Sequence, residues 1–136
     1  MIPFSTAVWD PKWYHEGQGQ NHLYFDKRSV INGLRVPMLV PPVELHGLCH
    51  GSADCLATVR NCAYLERYYN YLETIDRSAV CKWLETACEK IRLRNGFCGD
   101  PVAVLMVHES PENKCSERLA LYKWLLDLPG FVGEVM

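Results

Sequence analysis

No stretch of this chain is apolar for the roughly 18 residues that a membrane span requires. The opening Met1-Ile2-Pro3-Phe4-Ser5 also lacks the basic region and apolar run of a secretory leader. The expectation is a cytoplasmic protein that is neither membrane-embedded nor secreted. Charge of one sign is scarce too: 14 Lys and Arg stand against 16 Asp and Glu, a formal net charge of −2. Nothing then drives bulk attraction to anionic lipid or to extended nucleic acid, and a polyanion would have to be met by a local cluster. Glycine is not arranged as a phosphate loop or dinucleotide fingerprint, because Gly17-Gln18-Gly19 lacks the third glycine and follows no convincing strand. Internal repeats and low-complexity tracts are missing as well.

What is present suits a folded domain. At 136 residues, with 49% hydrophobic and 22% charged side chains, the chain can bury a core without staples. Residues 1–136 are therefore expected to form one α/β domain. Cysteine is plentiful, but seven is an odd number. In a chain without a leader, reduced thiols are the better expectation than a disulfide framework.

The chain changes texture near residue 55, from a half rich in Pro, Gly and aromatics to one with helical periodicity. Ile2 to Val8 reads as a strand, and Asp10-Pro11-Lys12 as a turn or short helix with Pro at its first position. Between Leu23 and Val40, β-branched and aromatic residues surround Asn32-Gly33, the signature of a short strand or a hairpin with a tight turn. Pro41-Pro42 breaks regular structure. Cys62, Leu65, Tyr69 and Leu72 recur at helical spacing in a helix that begins after Asp54 and ends near Thr74. Asp76 is placed to cap a second helix, whose Val80, Trp83, Leu84, Ala87 and Ile91 share a face and whose stop is Asn95-Gly96. The unalternating run Val102 to Val107 reads as a central parallel strand buried on both faces. A last helix presents Leu121, Trp124, Leu125 and Leu128 before Pro129-Gly130. The fold class expected is a small Rossmann-like α/β domain: a short, mostly parallel sheet, flanking helices and an irregular N-terminal part.

The junction between the last strand and the last helix gathers chemistry. Lys114, Cys115, Ser116 and Arg118 occupy the first turn of that helix, with Asn113 or Ser110 available as its cap. Free backbone N–H groups and the macrodipole favour an anion there, and a guanidinium grips a phosphate or carboxylate with two bonds. The same field lowers the pKa of a thiol, so Cys115 is a candidate nucleophile, with His108 as base and Glu109 to orient it. Three readings of this turn stay open. It binds a ligand without chemistry, it is the site of a cysteine enzyme, or Cys115 is a small buried residue and Arg118 pairs with Glu117 or Glu112.

Asp100-Pro101-Val102-Ala103-Val104-Leu105-Met106-Val107-His108-Glu109, Cys115-Ser116-Glu117-Arg118 and Tyr122-Lys123-Trp124-Leu125 together resemble the family catalogued as domain of unknown function 488. In that family a hydrophobic strand ending in an acidic residue precedes a Cys-His-Arg motif and a helix. The stretch from Tyr68-Tyr69 to Leu84 is similar to the helical region before that strand, and Ser5-Thr6 and Pro11-Lys12-Trp13 give a weaker echo. Here the histidine is missing and the arginine is displaced by one place. The resemblance implies a small α/β fold with a site near Cys115. Short relatives look like proteins of bacteria, phages and mobile elements, which implies an accessory role such as sequestering a nucleotide signal.

Two other clusters carry possible function. His46, Cys49, His50, Cys55 and Cys62 are soft ligands within seventeen residues, so zinc is a candidate cofactor on Cys49, Cys55 and Cys62. The spacing differs from the paired C-x2-4-C of structural zinc sites, and structural thiols are the competing reading. Lys12, Trp13, Tyr14, His15, Lys27, Arg28 and Arg35 mix cations with aromatic faces, the combination that stacks bases and neutralises phosphates. Trp9 and Trp13 read better as core. Lys12 and Arg35 stay candidates because the ends of the first strands can converge on the Cys115 loop. The functional expectation is a protein that binds a phosphate-bearing small molecule or nucleotide through Lys12, Arg35, Glu109, Cys115, Ser116 and Arg118. The alternatives are a Cys115-dependent enzyme and a protein-interaction or inhibitor factor with a metal-stiffened loop.

Overall fold

The computed structural model describes residues 2–7, 14–16, 31–45, 63–96, 99–107, 116–128 and 131. They belong to two compact units: Met1–Val40 with Ser78–His108, and Pro41–Arg77 with Glu109–Met136.

The first unit is built on a parallel sheet. β1 (Ile2–Ser5) lies between β3 (Ile31–Arg35) and β4 (Ala103–Met106), and β2 (Tyr14–Glu16) pairs on the far side of β3. The strand order is β2-β3-β1-β4 and every pairing is parallel. Parallel neighbours cannot be joined by a tight turn, and this decides the fate of Asn32-Gly33. These residues lie inside β3, with Gly33 opposite Glu16, instead of forming the hairpin turn that their dipeptide suggests. Pairing on both sides of β3 outweighs a local turn preference. Gly33 is buried and takes no left-handed φ; among the described residues that conformation belongs to Gly96 and Gly99.

β4 departs from expectation in the same sheet. Its apolar run reads as a strand covered on both faces, yet it is an outer strand of the order, half-buried along its length, with Val102 56% exposed just before it. The inner positions belong to β3 and β1, and Ile2 and Phe4 of β1 are buried. Phe4 meets Trp83 edge to face at 6.0 Å between ring centroids. Trp83 comes from α2 (Arg77–Asn95), which starts directly after Asp76 as expected and buries Val80, Cys88 and Ile91. The helix stops where Gly96 adopts φ 64° and its N–H reaches the Arg92 carbonyl, 2.9 Å away, a left-handed terminus that glycine enters without steric cost.

The second unit pairs α1 (Ala63–Glu73) with α3 (Arg118–Leu125). α1 buries Tyr64, Leu65, Tyr68 and Leu72, and α3 buries Ala120, Leu121, Trp124 and Leu125. The inward tyrosines of α1 are Tyr64 and Tyr68; Tyr69, counted with the apolar face from spacing, is half-exposed under the Lys123 ammonium, 4.6 Å from its ring centre. Two residues on adjacent helical positions differ by about 100° in direction, so a shift of one place changes which ring is covered. Arg77, which belongs to this unit, ties three groups together. Its Nε–H donates to the Trp124 carbonyl (3.2 Å), its Nη2 pairs with Glu73 (2.7 Å), and its guanidinium lies 5.2 Å from the Trp124 ring centre. Among the described residues no helix is long and apolar enough to cross a membrane.

Candidate functional site

Three of the sequence candidates lie on described residues: Arg35, Ser116 and Arg118. Lys12, His108, Glu109, Cys115 and the trio Cys49, Cys55 and Cys62 lie outside them. Among the described residues no group of three or more His, Cys, Asp or Glu is arranged to hold a metal ion.

Arg35 ends β3 at the carboxyl edge of the parallel sheet. Registers place Ser5 opposite both Arg35 and Met106, so the three neighbouring strands end level. This edge is stitched by its own hydroxyls. The Ser5 Oγ accepts from the Ala7 N–H (3.1 Å), and the Thr6 hydroxyl donates to the Met106 carbonyl (3.2 Å). The Val36 N–H adds a bond to the Ser5 carbonyl (2.9 Å). Ser5, Thr6, Ala7 and Val36 are all buried, whereas Arg35 is half-exposed. The edge therefore consists of a closed polar seam with Arg35 beside it, half-exposed as a residue and with its Nε buried. In the chain, Lys12 follows β1 and His108 follows β4, and both strands run out through this same edge.

Ser116 and Arg118 belong to the second unit and sit differently from the sequence expectation. α3 begins at Arg118, so Ser116 precedes the helix instead of lying in its first turn. Its Oγ accepts from the Arg118 N–H (3.3 Å) and its carbonyl from the Leu119 N–H (3.1 Å). The buried Ser116 thus takes up two of the free N–H groups at the helix start from one position ahead of the Glu117 N-cap. Next to it is a residue the sequence reading used only as a pairing partner. Glu117 is 5% exposed, and its Oε1 accepts a hydrogen bond from the Tyr64 hydroxyl at 2.6 Å. α3 thus has a buried carboxyl of its own next to its first residue, where an external anion was expected. An acidic residue beside a helix start was visible in the sequence. Its donor was not, since Tyr64 is 53 positions away.

Two thiols lie on described residues of α2, Cys81 half-buried and Cys88 buried. Burial pushes the pKa of Cys88 up, and partial burial together with the Glu85 carboxylate does the same for Cys81. A raised pKa means little thiolate near neutrality and weak nucleophilicity. No family model, curated protein or solved structure matches the chain.

Proposed function

We propose that the protein binds a phosphate-bearing small molecule, a nucleotide or nucleotide-derived signal, at the carboxyl edge of the parallel strands in its first unit. The observation that carries this reading is the position of Arg35, level with Ser5 and Met106 at the ends of three adjacent parallel strands. In Rossmann-like sheets, the class to which this reading assigns the fold, ligands sit outside the carboxyl ends of the strands. A guanidinium beside a buried seam works in a lower dielectric than one in open water, which strengthens its grip on a phosphate. Lys12 and His108, on the segments that follow β1 and β4, are the companions this site would draw on. The amino end of α3 is the weaker seat, because the residues that lead into it are buried: Ser116 is fully covered and Glu117 is 5% exposed. The accessory role in a phage or mobile element, with capture of a nucleotide signal, draws its support from the resemblance to the family of unknown function 488.

The test is a thermal-shift screen against nucleoside mono-, di- and triphosphates. A ligand at about 100 times its Kd adds about 2.7 kcal/mol to a folded state that binds it, enough to raise Tm by roughly 5 °C or more in a protein of this size. Arg35→Gln is expected to abolish the rise and Arg118→Gln to keep it. A screen with no stabilising phosphate, or a rise that survives Arg35→Gln, contradicts the proposal.

A further inference from the structure

One face of α2 is divided lengthwise. Lys82, Thr86, Lys90 and Arg94 recur every fourth residue, and Ala79, Trp83, Ala87 and Ile91 form the adjoining stripe. With Leu34 from β3 these residues line a groove of about 500 Å³ in the first unit. The floor is apolar, and Lys82, Lys90 and Arg94 stand exposed along it. They cover about 18 Å of helix at about 1.5 Å rise per residue.

The negative groups of α2 are placed elsewhere. Glu85 accepts from the Cys81 thiol, and Glu89 is engaged by Arg92. Neither is among the residues of the groove. Lys82 and Lys90 form no ion pair with any described carboxylate. One turn beyond Lys90, on the same side of the helix, Leu93 is 66% exposed. A large exposed apolar side chain beside a cationic stripe and an apolar floor is the pattern of a surface that expects cover.

We propose that this face docks an acidic amphipathic helix of a partner protein. The partner's apolar side chains would settle over Ala79 and Ala87, between the larger Trp83, Ile91 and Leu34. Its carboxylates would meet Lys82, Lys90 and Arg94. Recognition of this kind reads anchors at i, i+3 or i+4 and i+7. Charge complementarity sets the sign of the partner, and the aliphatic floor sets its class. Single-stranded nucleic acid needs successive aromatic platforms for its bases, and this groove offers one ring, Trp83. The inference uses different residues from the phosphate site and stands or falls separately.

The probe is a fluorescein-labelled helical peptide of about eighteen residues, with leucines at i, i+4 and i+7 and glutamates on both flanks, followed by anisotropy on the full chain. The acidic peptide is expected to bind at least ten times more tightly than its lysine-for-glutamate counterpart, and to weaken as salt rises from about 0.05 to 0.5 M. Lys82→Glu with Lys90→Glu is expected to reverse the preference between the two peptides, and Leu93→Ser to weaken binding of the acidic one several-fold. Arg67→Glu, the same change of charge on α1, should leave both affinities unchanged. Should the double variant fail to fold by circular dichroism, hydrogen exchange on the wild-type chain replaces it, with protection by the peptide expected across residues 79–94. Equal binding of the two peptides, insensitivity to the charge reversal or to Leu93→Ser, protection elsewhere, or displacement of the peptide by a short oligothymidine each overturn the proposal. A phosphate site that failed its own screen would leave these results untouched.

Discussion

A carboxylate buried at the start of a helix needs donors, and the Tyr64 hydroxyl supplies one to Glu117 at 2.6 Å. Leaving a buried acceptor without its donor costs about 1–3 kcal/mol. Tyr64→Phe, which keeps the ring and removes the donor, is therefore expected to lower the unfolding free energy by about that amount. Urea denaturation checks this, and an unchanged midpoint would mean that the pair contributes nothing. Glu73 is the residue where pH dependence is most legible. The hydrogen bond from Tyr69 holds its carboxyl below the ordinary value, and Arg77 acts in the same direction. A depressed folded pKa gives stability that is present above the unfolded carboxylate range and lost as pH falls through the folded value. The wild type should therefore exceed Glu73→Gln in urea midpoint at neutral pH, and the difference should vanish well below pH 4.5, the ordinary carboxyl value. Because Glu73 is largely exposed, the difference will be small. Thiol reactivity gives a third check. Iodoacetamide near neutral pH should label Cys81 and Cys88 slowly, since both have raised pKa values, and rapid labelling of either would contradict their environments.

At the scale of elements, stability in the second unit comes from the α1–α3 interface. Leu65 and Trp124 are fully covered, so Leu65→Ala should cost about 2–5 kcal/mol, the range for a buried leucine. The end of α2 is a separate and smaller effect. Gly96 sits at φ 64° with open space around its Cα, so Gly96→Ala should cost about 1 kcal/mol through backbone strain alone. Both changes are read from urea midpoints.

These elements also show what periodicity can and cannot deliver. Val80 and Ile91 on α2 and Leu121 and Trp124 on α3 were visible because a helix repeats its buried face every three or four residues, and they are buried. Tyr68 and Tyr69 are adjacent aromatics, and no pattern chooses between them without the partner helix. Asn32-Gly33 misled for a related reason: turn propensity is local, whereas membership of β3 depends on strands 15 to 30 residues away in the chain. The run Val102–Val107 announced a strand correctly and its depth incorrectly, because apolar composition does not tell an outer strand from a central one.

On the whole-molecule scale, the proposed function rests on the parallel sheet. Two of the strands that make its carboxyl edge were legible, since the runs Ile2 to Val8 and Val102 to Val107 contain β1 and β4. The stitching of that edge by Ser5 and Thr6 was not, because hydrogen bonds between residues about a hundred positions apart, such as Thr6 to Met106, leave no local trace. Lys82, Lys90 and Arg94 of α2 stand eight and four residues apart in the sequence. That they border a groove was not legible, because one wall, Leu34, comes from β3. Glu117 shows the opposite limit: a helix start rich in donors invites an anion, but whether the chain supplies its own depends on what packs there.

The most direct test is a titration of isotope-labelled protein with a nucleoside triphosphate, followed through backbone amide resonances. The account predicts saturable shifts at Thr6, Ala7, Arg35 and Val36, all lost in Arg35→Gln. Shifts confined to residues 116–118 or to α2, or no shift at any accessible concentration, would contradict it.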